Sequence, residues 1–198
     1  MRVLLIFLSI FSITVFPVTW SDALAFDPAK VKKLINSRKC VSCDLKNADL
    51  KNANIPGAFL QGAKLQGANL TKAKLNKAKL YKTDLTAANL TGADLSFANM
   101  EQTNLGNSNL AGAKMSNTYL DQANLGGCNL KGADLRKAYM VGAFLKNADL
   151  SEADLRGATL FGANILGVNF TSTNLEGARW RNGKVCAPGS IGKCIIVE

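Results

Sequence analysis

Histidine is absent from this chain, and aromatic residues make up only 7% of it. The first absence removes the commonest general base and the commonest metal ligand. The second means that a core built from 198 residues draws its apolar mass from Leu and Ala. Acidic residues are also in deficit, 14 against 24 Lys and Arg, which gives a formal net charge of +10. Such a balance points toward anionic partners: nucleic acid, lipid headgroups or envelope polymers.

Residues 1–25 read as a cleavable signal peptide. Arg2 supplies a positive start, residues 3–16 an apolar stretch, and Ala23-Leu24-Ala25 a small-x-small cleavage site. The apolar run is shorter than the roughly 20 residues of a spanning helix, which argues against an uncleaved anchor. No Cys follows the site, so nothing signals a lipoprotein. The expected destination is outside the cytoplasm: the periplasm first, with a thylakoid lumen or the extracellular space as alternatives. Removal of the leader takes away Arg2 and Asp22, leaving 23 basic and 13 acidic residues and the same +10.

The rest of the chain is dominated by a period of five. A large apolar residue occupies every fifth position from Leu45 to Trp180, 28 times without a break, and 21 of these are Leu. Two residues earlier stands Ala in 20 cases. Between them stands Asn or Asp in 18 of 28, and two residues after each large residue stands Gly or Asn, again in 18 of 28. On an α-helix a step of five advances about 140°, which smears the leucines over all faces. On one long strand an odd step sends alternate leucines to opposite sides. Ala-x-Leu does fit a very short strand, with Ala and Leu inward and the residue between outward. The two residues that follow must then turn the chain, and Gly or Asn tolerates the backbone angles this needs. The chain turns a corner every five residues and coils.

Four corners per coil give chemically sensible stacks. Residues 20 apart then form the outward columns Lys74, Asp94, Lys114, Asp134 and Asn69, Asn89, Asn109, Asn129, as stacked strands favour. Runs such as ADLKNANI, GAKLQGANLTKAKL and NADLSEADLRGATL resemble the pentapeptide-repeat proteins with their A(D/N)Lxx motif. The resemblance spans residues 43–182 and implies an all-β fold, a right-handed quadrilateral β-helix of about seven coils. At about 4.8 Å per layer the column is roughly 34 Å long.

A solenoid needs caps on its open ends. Asp27-Pro28 is a helix start, and residues 28–38 are expected to form a capping helix within an N-terminal segment 26–42. Phe170 and Trp180 replace Leu near the other end. Residues 183–198 are expected to form a hairpin cap turning at Pro188-Gly189-Ser190, and similar Cys-containing tails follow the repeats in exported members of the family.

Five Cys in an exported chain suggest disulfides. Cys186 and Cys194 face each other across the expected hairpin. Cys40 and Cys43 bracket the junction of helix and first coil; a structural bridge is preferred there over a redox-active C-x-x-C, because no βαβ context accompanies it. The two pairs lie at opposite ends of the column, which excludes a shared zinc site. Cys128 falls on an inward Ala position and reads as a small buried hydrophobe.

No nucleophile–base set or isolated carboxylate pair stands out, so neither an enzyme nor a cofactor is expected. Asp at the middle position is assigned to hydrogen bonding along the stack. The dense lysines Lys64, Lys72, Lys74, Lys77, Lys79 and Lys82 ring the column and are read as solvated and partly paired with stacked Asp. Members of the family that inhibit DNA gyrase do so by mimicking DNA, which needs a negative surface; the +10 charge and the leader exclude that role, and with the lysines read as a solvated ring no nucleic-acid partner is expected.

The remaining anomaly is apolar residues at outward positions. Tyr119 and Tyr139 share a column, as do Val141 and Phe161, with Phe144 and Leu166 placed round the same corner; Phe59 and Phe97 are outward and isolated. Clustered apolar surface marks a contact site. The expected role is that of an exported, non-enzymatic interaction scaffold that meets a protein partner or a second copy of itself, with no stable membrane insertion after leader cleavage. The rivals are an electrostatic binder of anionic polymers or lipids and a thiol–disulfide protein using Cys40 and Cys43.

Overall fold

The computed structural model of the protein describes residues 27–196. The signal-peptide reading of residues 1–25 lies outside the described residues. The described chain opens with helix α1, Pro28–Ser37. Asp27 caps it, its side chain accepting from Ala29 N at 2.9 Å, and Pro28 stands where its missing N–H costs nothing. Arg38 ends the helix in a left-handed conformation, φ 55°, its N–H donating to Leu34 O at 2.8 Å. Leu34 is fully buried and joins the core of the coils, with Val31 packed beside it.

From Lys39 onward the chain is a stack of short parallel contacts. Every middle residue bridges the one 20 positions later, from Lys39↔Phe59 to Thr159↔Arg179. This defines four sides. Side one carries the column Asp44 to Asn164, side two Asp49 to Asn169, side three Asn54 to Asn174, and side four Lys39 to Arg179. The ladder therefore starts one repeat before residue 43. Cys40 occupies the large inward position of that repeat and is buried, while Arg38 and Lys39 hide the pattern in the sequence.

The hydrogen bonding explains the repeat residue by residue, because a buried-backed coil must pair its backbone donors. In the repeat at Asn109, Asn109 N donates to Ala88 O one coil back and Leu110 N to Asn129 O one coil on; Gly112 N reaches Lys131 O, and Ala113 N closes the corner on Leu110 O. That leaves one donor per repeat, the N–H of the first corner residue. The middle side chain takes it: Ala111 N donates to Asn109 Oδ1 at 3.1 Å. Of the 18 middle Asn and Asp residues, 17 accept this bond. The other, Asn54, is followed two residues later by Pro56, which has no N–H to offer. The main role of Asn and Asp is thus a local turn cap, not a bond along the stack. Bonds along the stack do occur, as from Asn69 Nδ2 to Asp49 Oδ1 and from Asn124 Nδ2 to Asn104 Oδ1.

The second corner residue has positive φ at all 28 corners from Ser42 to Gly177. Gly fills 12 of these and Asn five, which leaves 11 corners where another residue is held there. Each of those 11 costs roughly 1–2 kcal/mol relative to an unstrained corner. The outlay is tolerable because the inward Leu and Ala columns are almost wholly buried.

The threonines at the Ala position share one partner type, while Ser108 instead meets Cys128 Sγ at 3.4 Å. Thr83, Thr103, Thr118 and Thr173 each donate from Oγ1 to a Leu carbonyl 23 residues earlier. Cys128 does the same from Sγ to Leu105 O at 3.0 Å. It is buried, as the sequence pattern requires, but it also serves as a donor. Burial pushes its thiol above the usual range, against a smaller opposing effect from Ser108.

At the C-terminal end the tail turns at Pro188-Gly189, where Ser190 N donates to Ala187 O. Its two arms meet through Ala187 N donating to Ile195 O at 2.8 Å and through the Cys186–Cys194 disulfide. They also pair antiparallel with the last coil, through Arg179↔Val185 and Asn174↔Ile191. The last coil offers unused donors and acceptors on sides three and four, and the tail satisfies them: Leu175 N reaches Ser190 O and Gly177 N reaches Cys186 O. Phe170 and Trp180 meet beneath it, ring centroids 5.5 Å apart. Disulfides join Cys186 to Cys194 and Cys40 to Cys43.

Candidate interaction surface

The four sides are chemically unequal. Side two is an uninterrupted column of Asn and Asp, from Asp49 to Asn169. Side four, opposite it in a four-sided coil, carries Lys39, Phe59, Lys79, Asn99, Tyr119, Tyr139, Thr159 and Arg179. Only Asn99 there can cap its own corner. Apart from Thr159, the residues that replace Asn and Asp on this side are aromatic or basic; Phe59 shares the column of the tyrosines but sits between Lys39 and Lys79, three coils from Tyr119. Tallying outward residues by their remainder on division by 20 reveals this asymmetry in the sequence.

The apolar residues of the later coils form a band across two sides, not a knot at one corner. Tyr119 and Tyr139 stack on side four with centroids 5.0 Å apart and ring planes within 5°. Val141 and Phe161 follow on the corner between sides four and one, where Gly142 N donates to Phe161 O. Phe144 stands on side one between Asn124 and Asn164. Leu166 lies one corner further on, so it borders the band from the far edge of side one. All six are exposed, Phe144 at 53% and Leu166 at 65%. A shallow, open depression of about 640 Å³ runs beside Phe144, lined by Asn107, Asn124, Lys146, Asn147, Asn164 and the glycines 126 and 127. Its amides and lone ammonium can hydrogen-bond a partner's backbone or side chains.

Charge elsewhere is locally managed. On side three Asp134 and Asp154 stack as like charges, which is destabilising unless offset. Arg136 lies 2.8 Å from Asp134 and 3.8 Å from Asp154, and Arg156 lies 2.6 Å from Asp154. The Arg136 hydrogen bond holds the Asp134 carboxyl below its usual range. Burial would raise Asp154, but the Arg156 bonds outweigh it and the carboxyl is lowered. At Asp84 burial is likewise outweighed, by the Thr86 hydroxyl and N–H and by Gln66 Nε2 at 2.7 Å.

The lysine stacks behave differently from their sequence reading. Lys64 lies between Asp44 and Asp84, and Lys74 below Asp94, yet neither forms an ion pair among the described residues. Their neighbouring carboxylates turn to corner N–H groups and hydroxyls instead. Cys40 of the proposed redox pair is buried and Cys43 half-buried. Among the described residues no group of three or more Cys, Asp or Glu is placed to hold a metal, and no helix is long and apolar enough to cross a membrane.

The chain matches the family of pentapeptide repeats, in eight copies covering residues 43–86, 68–107, 88–127, 128–165 and 140–177. No curated protein matches it. Among solved structures it is similar to the pentapeptide repeat protein Rfr23 of the cyanobacterium Cyanothece 51142, at 28% identity over 80% of this chain and 97% of that one, with a TM-score of 0.42. It is also similar to QnrB1, a plasmid-mediated fluoroquinolone resistance protein, at 18% identity over 76% of this chain and 79% of that one, with a TM-score of 0.52. A third is a pentapeptide repeat protein of the Arabidopsis thaliana thylakoid lumen, at 23% identity over 56% of this chain and 79% of that one, with a TM-score of 0.38. The family match runs through 43–177 without a gap, and the chain belongs to the pentapeptide-repeat family, whose fold is the right-handed quadrilateral β-helix.

Proposed function

We propose that this protein is an exported, non-enzymatic scaffold whose rigid β-helix of about seven coils presents an apolar band to another protein surface. The observation that carries this reading is the band itself. Tyr119, Tyr139, Val141, Phe144, Phe161 and Leu166 replace polar residues at outward positions, and they do so within adjoining coils. Aromatic side chains held on a rigid sheet lose little entropy on binding and are typical anchors of protein contacts. In this account α1 and the disulfide-clipped tail are caps that keep the column from growing by edge pairing. The positive start at Arg2, the apolar run and the Ala23-Leu24-Ala25 site support export. The mature chain then begins at Phe26, and the two disulfides suit an oxidising compartment.

The test is the double variant Phe144→Lys with Phe161→Lys. Neither side chain is in the core, so β-structure and melting behaviour are retained while self-association or the crosslinked partner is lost. Association that survives both substitutions refutes the band as the contact.

A further inference from the structure

The coil formed by residues 63–82 holds six lysines and no acidic residue. None of the six forms an ion pair among the described residues. Five of them, Lys72, Lys74, Lys77, Lys79 and Lys82, follow one another at steps of two or three residues. They run from the corner before side three, across sides three and four, to the corner after side four. Lys72, Lys77 and Lys82 sit at three consecutive left-handed corners, φ 55°, 62° and 55°, where Gly is the least strained choice.

Three of the four corners of this coil also lack their usual caps; Asn69 keeps the fourth, accepting from Thr71 N. At Lys64, Lys74 and Lys79 a lysine stands where Asn or Asp would accept the corner N–H. The N–H groups of Gln66, Asn76 and Tyr81 consequently have no acceptor among the described residues. A Lys at the middle position thus removes an acceptor and adds a cation at one stroke. The coil presents outward donors that call for anionic oxygens.

We infer that the track Lys72–Lys82 binds a linear anionic glycan, whose carboxylate or sulfate oxygens pair with the ammonium groups and with the open N–H groups of Asn76 and Tyr81. The track bends round the corner at Lys77 and ends at a corner on each side, so a flexible chain can follow it, whereas a membrane plane meets only one side. The coil contains no Arg, the residue suited to forked recognition of phosphate. Exposed rings flank the path and offer faces to sugar rings: Phe59 bridges to Lys79, and Phe97 occupies the corner one coil above Lys77. The choice of glycan over nucleic acid rests in part on the export reading. The site itself is separate from the apolar band.

The test measures binding of an oligogalacturonate to the full mature chain at low and at physiological salt. Affinity falls with salt. Lys72→Gly with Lys77→Gly and Lys82→Gly relieves backbone strain, so the fold survives while affinity drops about tenfold or more. Lys74→Asn with Lys79→Asn installs the missing caps and also weakens binding, with no loss of thermal stability. Lys131→Gln with Lys137→Gln, which removes charge from later coils, leaves affinity within about twofold. The inference is overturned if the oligogalacturonate does not bind, if the later-coil variant loses as much as the track variants, or if the track variants lose nothing. Tighter binding to a single-stranded oligodeoxynucleotide of equal charge, or to phosphatidylglycerol vesicles, overturns it in favour of that class. The leader is checked separately by the mass of the mature chain, so a failed export reading is told apart from a failed site.

Discussion

Replacing Leu110 with Ala probes the inward column at its best-supported point. Leu110 is fully buried, with Leu90 and Leu130 in the layers on either side. The change removes three carbons, a transfer term of about 2.4 kcal/mol at about 0.8 kcal/mol per buried methylene. A cavity term adds to this, because the walls cannot collapse. Leu110 N is tied to Asn129 O at 2.7 Å and Leu90 N to Asn109 O at 2.7 Å, which fixes the layer spacing. The expected total is about 3–4 kcal/mol, within the range for buried leucines. Ile165 is the counterpart near the end of the column, only half-buried. Ile165→Ala opens to solvent, leaves no closed cavity, and should cost about 1 kcal/mol. Urea unfolding followed by circular dichroism measures both. A Leu110→Ala variant within about 1 kcal/mol of the parent, or an Ile165→Ala variant as costly as Leu110→Ala, would refute the inward assignment.

Other expectations follow from single contacts. Cys128→Thr keeps a donor for Leu105 O and should be near neutral, while Cys128→Val should cost about 1 kcal/mol; the native thiol should resist alkylation until the chain unfolds. Asp84, Asp134, Asp149 and Asp154 are all held below their usual range. Their contribution is therefore fully present above about pH 4 and is lost as pH falls through the lowered folded values. Melting temperature should drop on that acid limb, and Arg136→Gln with Arg156→Gln should make the drop shallower; a flat profile contradicts the assignment.

Much of the fold was legible because the repeat records it directly. A period of five with Ala and Leu two apart fixes which side chains turn inward, and the 20-residue stacks are the bridges that join Lys74 to Asp94 and Asn69 to Asn89. Three things were not legible. The first repeat is disguised by Arg38, Lys39 and Cys40, which share no residue type with the motif. The tail's partners depend on which backbone groups the last coil leaves open, and no local pattern encodes that. The purpose of Asn and Asp could not be read from columns, because the bond that matters runs two residues along the chain. The lysine columns misled for the same reason: apparent Asp partners were already engaged at their own corners. The band was half legible, since its columns follow from the period. The contrast between sides two and four appears only when all outward residues are assigned to sides.

The proposed function rests on one apolar band, across side four, the adjoining corner and side one, making the protein contact. A photo-crosslinking residue placed at Tyr139, and separately at Asn129 on the opposite side of the same coil, tests it in the native compartment. A discrete crosslinked product is expected from position 139 and none from position 129. Equal products from both positions, or a product from 129 alone, would contradict it.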